Sequence, residues 1–141
     1  MSLDENYTPP SQAFTQRAPM HYYGDIVRVL MVAAAILVFL MEFVPPGLPY
    51  ATPIIILSIV ALVVAAGVTN PAQLWIHWVN VVLALIGVVA FGSLALDRYH
   101  ATGASFGLIL ATGTSVLFLI LLYFATRTLR GLMLGSAPAI R

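Results

Sequence analysis

Residues 71–96, PAQLWIHWVNVVLALIGVVAFGSLAL, decide the fold, because they form a long apolar run without Asp, Glu, Lys or Arg. The hydrocarbon core of a bilayer is about 30 Å thick, and about 20 apolar helical residues cross it. A strand in a membrane barrel would alternate apolar and polar residues with a period of two, and this run does not. The run therefore predicts a transmembrane helix over 72–96.

Three further apolar runs flank this one, and each predicts another transmembrane helix. They cover 26–44, 53–68 and 104–125. None has the continuous polar face that a helix of a soluble bundle presents to water. We therefore predict an all-α integral membrane four-helix bundle with short loops. Residues 1–24 are expected to form a flexible cytoplasmic arm, residues 25–130 the transmembrane domain, and residues 131–141 a C-terminal tail.

The composition of the whole chain excludes several classes of protein. Of the 141 residues, 61% are hydrophobic and 8% are charged, whereas about 25% are charged in an ordinary soluble domain. The net charge is only +1, so the chain lacks the basic face of a nucleic-acid-binding protein. It contains no Cys, which excludes disulfides and thiolate metal sites. We expect the lipid bilayer, rather than nucleic acid, to be its partner.

The charges also predict the orientation in the membrane. Four spans place both termini on one side, which then carries five of the six arginines, and the other side carries only Arg98. Short cytoplasmic segments are enriched in Arg and Lys, so both termini are expected in the cytoplasm. Tyr and Trp, which favour the headgroup level, cluster at the same boundaries. The arginines are Arg17, Arg28, Arg127, Arg130 and Arg141; the aromatic residues are Tyr22, Tyr23, Trp75, Trp78 and Tyr123 inside, and Tyr50 and Tyr99 outside.

Small residues recur every four positions in and just before the fourth span, and they predict close helix packing. They are Gly103, Gly107, Ala111 and Ser115. Packing within the bundle is the favoured interpretation, and homodimerisation is the alternative. In the third span, Asn80 lies at about the depth of Thr114 and Ser115. We expect an interhelical hydrogen bond at that level, with a structural role.

Two further polar residues are candidates for chemistry, because ionisable groups within membranes often have functions. Glu42 is the only carboxylate inside an apolar run; it suggests proton or cation coupling, or an interfacial acid near Arg98. His77 suggests a haem ligand or part of a quinone pocket. Haem held by two His needs a second one at the same depth on another helix, and His100 lies on the other side. A hydrogen bond from His77 to a headgroup or a carbonyl is therefore favoured.

Several segments together resemble those of small four-span membrane proteins from bacteria that have no assigned activity. The segments are 7–11 (YTPPS), 69–71 (TNP) leading into Trp75, and 126–131 (TRTLRG). The resemblance implies a bacterial inner membrane. It implies no mechanism and no functional residue.

The sequence therefore favours a structural or accessory role, as a homo-oligomer or as a small subunit of a larger membrane complex. Paired carboxylates, a metal cluster and a phosphate-binding loop are all missing from the sequence, so we expect neither enzymatic activity nor a cofactor. One alternative is a small oligomeric transporter or channel with Glu42, Asn80 and Thr114 along its pathway. Another is a haem or quinone membrane-anchor subunit that uses His77.

Overall fold

The computed structural model describes residues 23–70 and 73–135, which form four α-helices and no strand. The helices are α1 (Gly24–Glu42), α2 (Thr52–Val68), α3 (Leu74–Thr102) and α4 (Phe106–Gly135). This confirms the all-α prediction. Helices α1, α3 and α4 are each long and apolar enough to cross a membrane, and α2 is a shorter apolar helix of 17 residues. The chain is thus a membrane protein with transmembrane helices.

Two helices extend further than the sequence predicts. Helix α3 continues through Asp97 and Arg98 to Thr102, and it ends at Gly103, whose φ of 64° lies in the left-handed region. Helix α4 continues past the predicted end of its span at 125, beyond Arg127 and Arg130, to Gly135. A charged residue marks the level where the hydrocarbon ends, but a helix stops only where its backbone is interrupted. Part of the predicted tail is therefore helical, while residues 1–22 and 136–141 lie outside the described chain.

The four helices form a ring that is closed on three sides. Helix α1 packs against α2 and α4, and α4 packs most extensively against α3, while α2 and α3 touch over a small area. Apolar side chains from all four helices fill the centre of the ring. The most buried include Val27, Met31, Ala34 and Met41 of α1, Ile55 and Leu62 of α2, Ala84 of α3, and Ala111, Phe118 and Leu121 of α4.

Different side-chain contacts hold the two ends of the bundle. At one end, Tyr23 contacts Phe124 and lies under the guanidinium of Arg127, while Arg28 donates a hydrogen bond to the carbonyl of Thr69. We call this the basic end. At the opposite end, Arg98 donates to the carbonyl of Gly47 in the loop between α1 and α2. Helix α2 therefore runs from one end of the bundle to the other.

Candidate functional site

Three polar side chains meet where α2 ends, and we call them the Thr69 junction: Arg28, Thr69 and Asn80. The Thr69 hydroxyl donates to the Ala65 carbonyl at 2.6 Å and accepts from the Asn80 amide at 3.1 Å. Arg28 donates to the Thr69 carbonyl, and its guanidinium lies 3.5 Å from the carboxylate of Asp25. The junction joins the basic ends of α1, α2 and α3.

The chemistry of a helix C-terminus explains this arrangement. The last carbonyls of α2 have no partner within the helix, and they carry partial negative charge that favours a cation. Arg28 supplies that cation from the neighbouring helix. Thr69 and Asn80 are both fully buried, and a buried polar group without a partner is costly where no water can replace it. The junction therefore pairs the Thr69 hydroxyl, the Thr69 carbonyl and the Asn80 amide nitrogen, and it fixes the helices at the same time. Asn80 Oδ1 and Arg28 Nε are buried without a hydrogen-bond partner among the described residues.

The position of Asn80 corrects one prediction. We expected the Asn80 amide to bond with Thr114 or Ser115 of the fourth helix, and it bonds with Thr69 at the end of α2. The Thr114 hydroxyl donates to the Leu110 carbonyl at 2.8 Å and lies 3.6 Å from the sulfur of Met41. Depth in the membrane can be counted from the sequence, but it does not reveal which neighbour a helix face meets.

His77 lies one turn before Asn80 and belongs to the same end of the bundle. It is 1% exposed and makes a hydrogen bond with the backbone of Asn70. The protein itself, rather than a lipid headgroup, thus surrounds this imidazole. His100 lies 23 residues further along α3, a distance of about 35 Å at 1.5 Å per residue. Within the described residues, no second histidine could share a haem with His77.

At the opposite end, Arg98 is buried between a loop and a helix. It is 7% exposed, and its Nη2 donates to the Gly47 carbonyl at 2.6 Å. Its guanidinium lies against Gly107, where any Cβ would collide with it. Glu42 was expected near Arg98, but it is exposed and forms no ion pair with that residue. The backbone of the loop thus takes the place expected for the carboxylate.

The small residues of the fourth helix face α3. Gly107 and Ala111 are buried, and the Ser115 hydroxyl lies 3.5 Å from the position that a Cβ would take at Gly92. Gly103 does not belong to this stripe, because it is the C-cap of α3 and precedes α4. Gly107 and Ala111 thus pack inside the bundle, and they are not available to a partner.

An apolar cleft separates α2 from α3 above the Thr69 junction. It encloses about 270 Å³ and opens between Ile54 of α2 and Ile86 of α3. Phe118 of α4 lies at its inner wall, stacked on Phe91 with ring centroids 5.6 Å apart. Ser58, the one hydroxyl along its helical walls, donates to carbonyls of its own helix. The cleft thus presents hydrocarbon surface and no side chain placed for acid–base chemistry.

The residues proposed for a transport pathway do not come together. Glu42 is exposed at the opposite end, whereas Asn80 and Thr114 are fully buried and have different partners. In the described part of the chain, no three His, Asp or Glu side chains are placed to hold a metal ion.

The sequence analysis missed two residues that the structure places at these sites, Thr69 and Phe118. The signal for Thr69 was a hydroxyl residue directly after an apolar helix.

Comparison with other proteins adds no family to this description. No protein-family model, curated protein or solved structure matches the chain. The functional argument therefore depends on the geometry of the described residues.

Proposed function

We propose that this chain is a multi-pass membrane protein with a structural or accessory role, acting as a homo-oligomer or as a small subunit of a larger membrane complex. The observation that carries the proposal is the use of the buried polar side chains. Arg28, Thr69, Asn80 and Arg98 each bond across the bundle, and each tie holds a helix end or a loop in place. Such groups serve architecture, and none of them is arranged as a nucleophile with its base.

We also propose four membrane spans with both termini in the cytoplasm, in the inner membrane of a bacterium. The path of α2 between the Thr69 junction and the loop held by Arg98 supports a fourth span. Its 17 residues extend about 25 Å, slightly less than a bilayer core of about 30 Å. The arginines at the basic end support the orientation. The bacterial assignment depends on the resemblance of the three segments described above.

Cysteine labelling tests this topology without background, because the chain contains no Cys. Single substitutions are made at Pro49 and Ala101 on the proposed outer side, and at Ser2 and Ser136 on the inner side. A membrane-impermeant maleimide should label the first two in intact cells and the last two only after lysis. Labelling of Ser2→Cys and Ser136→Cys on opposite sides would overturn an even number of spans.

Glycines on the outer surface of the bundle test the assembly role. A Cβ at Gly67, Gly113 or Gly131 would meet no atom within 4 Å, so Leu at these positions leaves the monomer intact. If one of these faces binds a partner chain or a second copy, Leu there should reduce the mass of the complex in gentle detergent. The matched control is Gly107→Leu, which should displace the Arg98 guanidinium and lower the stability of the bundle instead. A wild-type chain that purifies from its native membrane as a monomer without other chains would contradict the proposal.

A further inference from the structure

One face of α4 changes from apolar to cationic as it approaches the basic end. Val116 and Ile120 are exposed on this face, followed by Tyr123, Arg127 and Arg130 at intervals of three or four residues. Residues separated by three or four positions lie on the same side of a helix. Tyr123, Thr126, Arg127 and Arg130 line a shallow pocket on that side, and we call these four residues the α4 arginine face.

Arg127 is held in a fixed orientation by aromatic rings. Its Nη1 donates to the Tyr123 hydroxyl at 2.8 Å, and its guanidinium carbon lies 4.9 Å from the centre of the Tyr23 ring. Tyr23 itself packs on Phe124, with ring centroids 5.5 Å apart. A guanidinium has five N–H donors, and only one of them is used by Tyr123. The group is thus positioned in advance, while its other donors make no hydrogen bond to a described residue.

No carboxylate neutralises this face within the described residues. Helix α4 contains no Asp or Glu, and neither Arg127 nor Arg130 forms an ion pair with a described residue. Asp25, at the same end, lies 3.5 Å from the guanidinium of Arg28. The Thr126 hydroxyl donates to carbonyls of its own helix. Among the described residues, Arg127 and Arg130 therefore have no acidic partner, and they directly follow exposed hydrocarbon side chains on this face.

We propose that the α4 arginine face binds the headgroup of an anionic diacyl phospholipid. The phosphate lies between Arg127 and Arg130, since guanidinium groups recognise phosphate oxygens through paired hydrogen bonds. The acyl chains lie along Ile120 and Val116. Basic residues at the membrane surface attract anionic lipids, and the fixed orientation of Arg127 gives this site a defined geometry. The order of groups along the helix matches the order of groups in the lipid.

Native mass spectrometry of the purified full chain tests this proposal. The chain is titrated with phosphatidylglycerol and, separately, with phosphatidylcholine of identical acyl chains. The wild type should retain phosphatidylglycerol preferentially. In the double variant Arg127→Gln/Arg130→Gln this preference should fall by about 30-fold, since two basic residues at the membrane surface are removed. The control variant Arg17→Gln/Arg141→Gln removes the same charge elsewhere and should keep the preference. An equal loss in both double variants would overturn the site, because net charge alone would then explain binding.

Two further variants and a competition with inorganic phosphate complete the test. Arg130→Gln alone removes a side chain without a described hydrogen bond or ion pair, so it leaves the fold intact and should still weaken phosphatidylglycerol retention. Tyr23→Leu keeps the charge but removes the stacking on Arg127, and it should weaken retention too. Inorganic phosphate in excess should not displace the lipid. Its displacement by phosphate, or unchanged retention in Arg130→Gln, would contradict a phospholipid site.

Discussion

Helix α3 packs against α4 on one side and faces α2 on the other, and the two sides differ in construction. Towards α4, glycines let side chains of the opposite helix approach closely: Gly87 lies against the ring of Phe118, and Gly92 lies against Ser115. Towards α2, the helices meet at the Asn80–Thr69 hydrogen bond and then separate around the apolar cleft. The α3–α4 interface is thus closely packed along the helices, whereas α2 and α3 are fixed by polar contacts where the two helices meet.

The difference shows what holds helices together in a membrane. Lipid tails are as apolar as Leu and Ile, so burial of such side chains gives little preference for a neighbouring helix over lipid. Close packing and hydrogen bonds supply that preference instead. The α3–α4 interface uses the first, and the α2–α3 contact uses the second. Four experiments test this comparison, beginning with the largest expected effect.

Phe118→Ala should destabilise the bundle most. Phe118 is 2% exposed, and it contacts Gly87 and stacks on Phe91. We expect a loss of about 3 kcal/mol, the lower end of the range for a buried Phe, since lipid rather than water is the reference. Thermal unfolding in detergent measures it. The control Leu119→Ala removes a side chain that is 49% exposed and should cost under about 1 kcal/mol. Equal losses would show that α3 and α4 are not interlocked.

Gly87→Ala should destabilise the same interface by overpacking. A Cβ at this position would enter the ring of Phe118, which cannot move freely because it is stacked on Phe91. The expected loss is about 2 kcal/mol. Gly113→Ala is the matched control on α4, since its Cβ would meet nothing within 4 Å. It should be neutral or stabilising by up to about 1 kcal/mol, because Ala favours the helix. A neutral Gly87→Ala would contradict the close approach.

A double-mutant cycle should show a smaller, specific coupling between Asn80 and Thr69. Asn80→Ala and Thr69→Val remove the two partners of a buried 3.1 Å hydrogen bond. The expected interaction energy is about 0.6 kcal/mol, with an upper limit of about 1.7. The control cycle pairs Asn80→Ala with Thr114→Val, and its coupling should be near zero. Coupling to Thr114 instead would restore the contact expected from the sequence and move Asn80 away from α2.

The sequence predicted the helices because each apolar run is long enough to carry its own signal. The run over 71–96 alone indicated a transmembrane helix, and the ends of α2 were predicted to within one residue. The end of α3 was missed, because Asp97 and Arg98 mark a polarity boundary while the helix continues to Gly103. Local composition determines where a helix can form, but it does not determine at which residue the helix ends.

The candidate site could be predicted in its residue types and not in its contacts. Asn80 was expected to make a structural interhelical hydrogen bond, yet its partner depended on the rotation of α3 about its axis. The side chains along α3 give little guidance to that rotation, because apolar residues surround the helix. Arg98 illustrates the same limit. Its contact with the Gly47 carbonyl involves a backbone atom, and no sequence pattern marks a backbone acceptor.

The smallest expected effect comes from filling the cleft. Ala90 lines the cleft and is partly exposed, whereas Ala84, six residues earlier on the same helix, is fully buried. Ala90→Leu has free space to enter, so we expect a change in stability of less than about 0.5 kcal/mol. Ala84→Leu adds the same atoms to a filled core and should cost about 1 to 3 kcal/mol. Both values come from thermal unfolding in one detergent. If Ala90→Leu cost as much as Ala84→Leu, α2 and α3 would have to be in close contact along their whole length, and the asymmetry of α3 would disappear.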